Sequence, residues 1–419
     1  MEPGEHLFRQ ESGRIVTALS RIFGLDNIAL AEDVAQDVFC RALEVWKLRG
    51  VPHTPSAWLM KAARNRAIDV LRRERTARSL VPELGRLLES EWTMVATVNE
   101  LFASETITDD QLRMMFSCCD PRLSEDAQVA LTLRLLCGFT TAEIAGAFLS
   151  TNAAIEKRIE RGKKILASSK RLFDFADAEL PARLSAVHRT LYLLFNEGYH
   201  GASRETPVRA ELCREATRLA ALLLDNARVA TPASHALCAL MYLNAARLPA
   251  RVDARGNLVP LARQDRALWD RTLIARGNEL LDRSATGCEL SEYHVEAAIA
   301  SLHSGAATDG DTDWERLLWL YDILMRIRPS PVTALNRAIA VAQREGPESG
   351  IAAIRAIPAS EQLAAYPFFP AALGELELRA GRLERARSHF EAAAALARNP
   401  MERRFLESRV EAATGEPHR

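Results

Sequence analysis

The residues of this chain best equipped to do chemistry on a partner lie between Phe139 and Leu166, in FTTAEIAGAFLSTNAAIEKRIERGKKIL. Ile155, Ile159, Gly162 and Leu166 step by four, three and four, the spacing of one buried helical stripe. The other faces of that helix carry Asn152, Glu156, Lys157, Arg158, Arg161, Lys163 and Lys164. Cations of this kind neutralise phosphates, and amide or carboxylate side chains reach base edges; glutamate accepts from the cytosine amino group. Glu156 and Glu160 lie one turn apart and are candidates for that contact, the alternative being ion pairs to Lys163 or Lys164. What must position the helix is a second one before it. Thr140 and Glu143 form a T-x-x-E capping box that predicts a helix from Thr141, with Ile144, Ala145 and Phe148 on one face. Leu149, Ser150 and Thr151 carry the turn, and Thr151 or Ser150 can cap the next helix. A tight helix pair whose second member is apolar inside and cationic outside is what major-groove reading requires. An ordinary helical hairpin with a solvated face has the same pattern.

A second cationic run lies upstream. The segment SAWLMKAARNRAIDVLRRERTAR predicts a helix from about Ser56, with Trp58, Leu59, Ala62, Ala63, Val70 and Leu71 inward. From Lys61 to Arg78 it carries Lys61, Arg64, Arg66, Arg72, Arg73, Arg75 and Arg78 against Asp69 and Glu74. The stretch Glu156 to Arg171 likewise has seven basic residues against two acidic ones. One such run is usually a solvated helix face; two on separate helical units point to a polyanion held at two places. Asn65 can pair with a base edge, the loop Arg49 to Pro55 can border a pocket, and the spacing of Trp58 suits the core better than base stacking. Between the two runs, Ser79 to Asp110 has seven acidic residues against Arg86 alone. It reads as a tether with one short helix.

The elements before this are helical. A first helix runs from about Glu5 to Phe23 and stops at Gly24. A second starts near Ala29, with Ala31, Val34, Ala35, Val38, Ala42 and Val45 inward and Asp33, Gln36, Asp37, Arg41 and Glu44 outward. Asp37 and Arg41 there have the spacing of an i,i+4 surface pair. Gly50, Pro52 and Pro55 mark a loop. Gln111 to Cys137 supplies two helices split at Asp120-Pro121.

The 419 residues exceed one hydrophobic core, so two to four domains are expected. A net charge of -1 argues against non-specific coating of nucleic acid but not against a local basic site. All six lysines precede residue 172, so the two ends of the chain differ in kind. The seven cysteines sit among apolar residues and read as buried thiols of a reducing compartment. Neither a signal pattern nor an 18-residue apolar run occurs, so a soluble cytoplasmic protein without membrane contact is expected. Residues 173 to 419 show helix after helix and no catalytic constellation, so no enzyme activity, cofactor or metal is expected. Leu373, Gly374, Ala386, Phe390 and Ala393 match positions of a 34-residue tetratricopeptide repeat, and Ala340 and Ala352 align one period earlier. In FNEGY (195 to 199), Gly198 reads as a helix end, with Glu197 a potentially functional acid.

AEDVAQDVF (31 to 39) with SAWLMKAARNRAIDVLRR (56 to 73) resembles region 2 of the extracytoplasmic-function sigma factors of bacterial RNA polymerase. Residues 127 to 166 are similar to their region 4, and LYLLFNEGYHGA (191 to 202) with the alanine-rich tail resembles the subgroup with a long tetratricopeptide-like extension. The resemblance implies an all-α chain: region 2 over 1–78, an acidic linker over 79–110, region 4 over 111–172, a helical extension over 173–320 and repeats over 321–419. It implies that Asp33, Gln36, Asp37 and Phe39 dock on core RNA polymerase. Asn65, Asp69, Arg72 and Arg73 would face the minus-10 promoter element, and Lys61 and Arg64 of the same cationic run are counted as DNA-binding with them. Asn152, Glu156, Lys157, Arg158 and Arg161 would sit at the minus-35 element, and Lys163 and Lys164 of the same cationic run are counted as DNA-binding with them. Ala154 stands where many relatives have threonine or serine, and Gly162 where alanine is usual, which costs roughly 1 kcal/mol of helix propensity. The tail is expected to regulate in cis, or to take a protein partner on its repeats. The competing reading is a stand-alone helix-turn-helix regulator with a ligand- or partner-binding tail.

Overall fold

A computed structural model describes residues 3–77, 91–147, 150–168, 180–200, 209–254, 256–358 and 360–414. The regular elements of those residues are helices, joined by turns and irregular stretches, with a single isolated antiparallel bridge between Val252 and Leu258. They form two compact units, residues 1–194 and 195–419.

The first unit begins with α1 (Pro3–Phe23), closed by Gly24 at a φ of +79°, a left-handed conformation in which glycine carries no side-chain penalty. A short 3-10 turn, Leu25–Asn27, leads into α2 (Ile28–Arg49). α2 buries Ile28, Ala31, Val34, Ala35, Val38, Ala42 and Trp46. Val45, expected inside, is half-buried, and Trp46 fills that place instead. α3 (Pro55–Ala77) starts on a proline, whose fixed φ suits a first helical position. It buries Leu59, Ala63, Ala67, Ile68, Val70 and Leu71.

The acidic stretch expected to be a tether with one short helix holds that helix, α4 (Glu91–Leu101), and also the start of α5 (Ser104–Cys118), so more of it is helical than expected. α4 packs on α1 and α3 through Val98, flanked by half-buried Val95 and Leu101, while α5 packs on α1. Asp110, placed in the tether, is buried. Residues 78–90 lie outside the described residues. α6 (Glu125–Leu136), α7 (Thr141–Ala147) and α8 (Asn152–Ala167) follow. α9 (Leu180–His200) belongs to this unit as far as Leu194: Leu184, Val187, Leu191 and Leu194 are buried, and Arg183 lies 3.6 Å from Asp120.

The second unit contains α10 (Ala210–Leu224), α11 (Pro232–Ala245), α12 (Arg271–Ser284), α13 (Glu292–Gly305), α14 (Trp314–Ile327), α15 (Pro331–Glu345), α16 (Pro347–Arg355), α17 (Phe368–Arg379), α18 (Leu383–Ala395) and α19 (Pro400–Ala412). Successive helices pack in pairs, α15 on α16 and α17 on α18 among them. Gly374 lies against the Phe390 ring, where a Cβ would come within 2.8 Å of it. In the preceding pair the close approach falls to Gly350 against Ala342, while Ala352, aligned with buried Ala386, is exposed. Gly198 does not end its helix. α9 continues to His200, and a Cβ on Gly198 would come within 2.8 Å of the Cys213 amide nitrogen on α10. The glycine serves a helix crossing, closed by the Arg209 N–H donating to the Gly198 carbonyl at 2.8 Å.

Candidate nucleic-acid interface

The α7–α8 pair is built as its residue types require. The Thr140 N–H donates to Glu143 Oε2 at 2.8 Å, and the Glu143 N–H returns to Thr140 Oγ1 at 3.2 Å, so the capping box closes in both directions. Ile144 and Ala145 are buried; Phe148 and Leu149 lie outside the described residues. Thr151 Oγ1 accepts from the Ala154 N–H at 3.2 Å and caps α8. Its buried residues are Ile155, Ile159, Gly162 and Leu166. Gly162 has a packing reason: a Cβ there would come within 2.8 Å of Leu131 Cγ on α6.

The outward residues of α8 are not equivalent. Asn152, Glu156, Lys157 and Arg161 are exposed, and no ion pair joins them to another described residue. Arg158 lies 3.4 Å from Asp126. Lys164 pairs with Glu160 at 2.7 Å and holds that carboxyl below its ordinary pKa. Glu160 thus takes the ion-pair alternative, and Glu156 stays open to a base edge. Lys163 pairs with Glu32 on α2, which also receives Arg134 of α6 at 2.7 Å. Glu32 gave no signal in the sequence, because its partners lie 102 and 131 residues away.

The second cationic site is a groove of about 690 Å³ between α2 and α3. Its lining includes Trp58, Lys61, Asn65, Asp69 and Arg73 of α3 and Asp37 and Arg41 of α2. Arg66, another lining residue, donates to Asp37 at 3.0 Å, so the Asp37 partner is a residue of α3 and not Arg41. Two helices meeting at a groove bring Asp37 nearer to Arg66 than the i,i+4 spacing suggests. Trp58 is half-buried. One edge packs on Trp46 at 5.6 Å between ring centroids, and the side chain also lines the groove, which its apolar spacing alone did not reveal. Arg72 is exposed, 3.8 Å from Asp69, while Arg64 is half-buried.

Asp33, Gln36 and Asp37 stand exposed along α2. Phe39 is half-buried, its ring 5.2 Å from that of Phe8 on α1. Cys40 is exposed too, as is Cys288 in the second unit; the other five thiols are buried.

In the second unit Glu197 is half-buried and its Oε1 has no hydrogen-bond partner among the described residues. Burial pushes its carboxyl up to about 7, against the opposing Arg209 and Arg398 guanidiniums. Arg251 sits 4.1 Å above the neighbouring Tyr199 ring.

Residues 7–77 match the family model described as Sigma-70 region 2, and residues 113–166 match Sigma-70, region 4. Residues 183–285 match a family of unknown function, DUF6596. The chain is 39 % identical over 401 residues to "Uncharacterized protein R00370" of Rhizobium meliloti (strain 1021), covering 96 % of this chain and 93 % of that one. It is 25 % identical over 164 residues to "ECF RNA polymerase sigma factor SigK" of Mycolicibacterium vanbaalenii, covering 38 % of this chain and 77 % of the relative. No solved structure matches the chain. Among the described residues no helix is long and apolar enough to cross a membrane.

Proposed function

Since the chain belongs to the sigma-factor family, with regions 2 and 4, a C-terminal extension and a role in transcription initiation, we propose that its two cationic surfaces divide one promoter between them. The α2–α3 groove takes the minus-10 element. Lys61 and Arg73 in its lining, with Arg64 and Arg72 outside it on the same helix, neutralise phosphates, and Asn65 and Asp69 meet base edges of the melted strand. Trp58 offers the half-exposed aromatic face on which an unstacked base can lie. α8 enters the major groove at the minus-35 element. Asn152 and Glu156 lie toward bases there, and Lys157, Arg158, Arg161, Lys163 and Lys164 toward phosphates. Asp33, Gln36, Asp37 and Phe39 form the docking face for core RNA polymerase. Phosphodiester chemistry belongs to that core enzyme.

The observation that carries the reading is the groove itself, in which an aromatic ring and an exposed amide share a wall with cations. Holding a melted base needs a stacking surface, a base-edge partner and a positive lining, and Trp58, Asn65 and Lys61 with Arg73 supply them. The extension regulates in cis: a tethered domain acts at an effective concentration near millimolar even when its own affinity is weak. Its 30 basic against 32 acidic residues from Phe173 onward make it a poor grip for DNA.

The test is run-off transcription with core polymerase on a library of promoter fragments, with and without the chain. A transcript whose start depends on the chain supports the reading. Binding of duplex DNA without any association with core polymerase would point instead to a stand-alone regulator.

A further inference from the structure

The turn between α18 and α19 borders a cavity of about 470 Å³ that the promoter reading does not use. It is lined by Ala397, Arg398, Asn399, Pro400, Arg403 and Arg404, three of them cationic and none acidic. The three arginines are not alike. Arg398 is already neutralised: its Nε donates to Glu402 Oε2 at 3.2 Å and its Nη2 to Glu402 Oε1 at 2.5 Å. Arg403 and Arg404 are exposed, and no ion pair joins either to another described residue. Arg404 reaches only neutral oxygens, Asn257 Oδ1 at 3.3 Å and the Gly256 carbonyl at 3.5 Å. Both contacts are at the long end of hydrogen bonding, and neither cancels its charge.

A further donor belongs to Asn399, which is 4 % exposed. Its Oδ1 accepts from the Met401 and Glu402 N–H groups at 3.1 and 2.8 Å and caps α19. That bonding fixes which way the amide faces, and its Nδ2 has no hydrogen-bond partner among the described residues. A buried donor left without an acceptor is destabilising, so its place in a cavity wall points to an acceptor there. The first N–H groups of α19 are taken by the cap, so this is a site of side chains and not of a helix end.

We propose that the cavity binds a small anion bearing phosphate or carboxylate oxygens. Guanidinium forks match such oxygens two at a time. The volume falls among those of small-molecule sites, about 300–1,000 Å³. Duplex DNA is a poor occupant, because the extension carries 30 basic against 32 acidic residues from Phe173 onward. Arg404 connects the site to the surrounding fold. An anion that draws it away from Gly256 and Asn257 releases the hairpin closed by the Val252–Leu258 bridge. The site lies wholly in the second unit and does not depend on the sigma-factor reading.

The test is calorimetric titration of the full-length chain with pyrophosphate and with citrate, at constant ionic strength. Saturable binding of a single anion per chain is expected. Tighter binding of pyrophosphate identifies the ligand class as phosphate esters, and tighter binding of citrate identifies it as polycarboxylates. Arg403→Gln and Arg404→Gln should each weaken binding about tenfold, the effect of losing one charge-assisted hydrogen bond. Asn399→Asp keeps the helix cap and replaces the donor by a carboxylate, so it should abolish binding with the melting temperature unchanged. Arg344→Gln, at an exposed arginine outside the cavity, should bind as the parent does. Absence of saturable binding by either anion at millimolar concentration overturns the proposal. So does equal binding by the Arg403, Arg404 and Arg344 variants. Capture of an acidic peptide in place of both small anions would make this a protein-docking surface and overturn it as well.

Discussion

Arg66 Nη2 donates to Asp37 Oδ2 at 3.0 Å, binding α3 to α2 at the rim of the cationic groove. The pair is solvent-accessible, so it contributes only about 0–1 kcal/mol to stability. Asp37→Arg should leave the circular dichroism spectrum and melting temperature nearly unchanged and weaken core polymerase binding. Unchanged core affinity in a folded variant would move the docking face off this part of α2.

Arg72→Ala with Arg73→Ala should reduce promoter opening more than polymerase binding. Both side chains are exposed on α3, and only Arg73 lines the groove. Heparin-resistant complexes and core affinity, measured in parallel, separate the two effects. Each lost phosphate contact should also flatten the salt dependence of log K by about 0.9. Equal loss in both assays would count against the assignment.

Gly162→Ala shows how far local propensity misleads. Alanine would gain about 1 kcal/mol as a helix former. Its methyl would press on Leu131, which is fully buried, and overpacking of this kind costs about 1–3 kcal/mol. The variant should melt no higher than the parent and most often lower. A clear rise in melting temperature would mean that α6 and α8 separate easily.

The pattern of α8 was legible because a buried stripe and a charged face have a period that sequence displays directly. The reason for Gly162 was not, since it lies on Leu131, thirty-one positions upstream. The same holds for Glu32, whose partners are set by tertiary contact. One short helix in the acidic stretch was legible, and α4 is that helix; its packing on α1 and α3 was not, because Val95, Val98 and Leu101 form a short stripe among acidic neighbours. Gly198 was misread because a glycine near a polar turn has the signature of a helix end, and only the proximity of Cys213 reveals the crossing.

Removal of the extension must respect α9. A chain ending at Arg171 would lose Leu184, Val187, Leu191 and Leu194, all buried in the first unit, at about 1.5–3 kcal/mol for each. It should melt earlier than one ending at His200. The longer fragment is the one in which a change of transcription reports on regulation. If it transcribes as the full chain does, cis regulation fails. Identical melting of the two fragments would show that α9 contributes nothing to the first unit.

Glu197 makes the second unit sensitive to pH. Burial raises its carboxyl from 4.5 to about 7, so between those values the folded chain holds a proton that the unfolded chain has released. Stability from this group therefore falls as pH rises from 4.5 to 7. His303 acts in the opposite sense. Burial, reinforced by Arg247 and Arg266, lowers it to about 3, and its contribution is lost as pH falls below 6.5. Glu197→Gln isolates the first effect: it should raise the melting temperature at pH 8 and change little at pH 4.5. An equal shift at both pH values would contradict the assignment.

The distribution of thiols has a practical consequence. Cys40 on α2 and Cys288 after α12 are exposed, one in each compact unit, while the other five cysteines are buried. A maleimide dye should therefore react at one place on each unit of the unaltered chain. A donor and acceptor pair attached this way would read the separation of the two units as an optical signal, with no cysteine added or removed. Because Cys40 shares its helix with the proposed docking face, the same dye would also report the arrival of polymerase if that proposal holds.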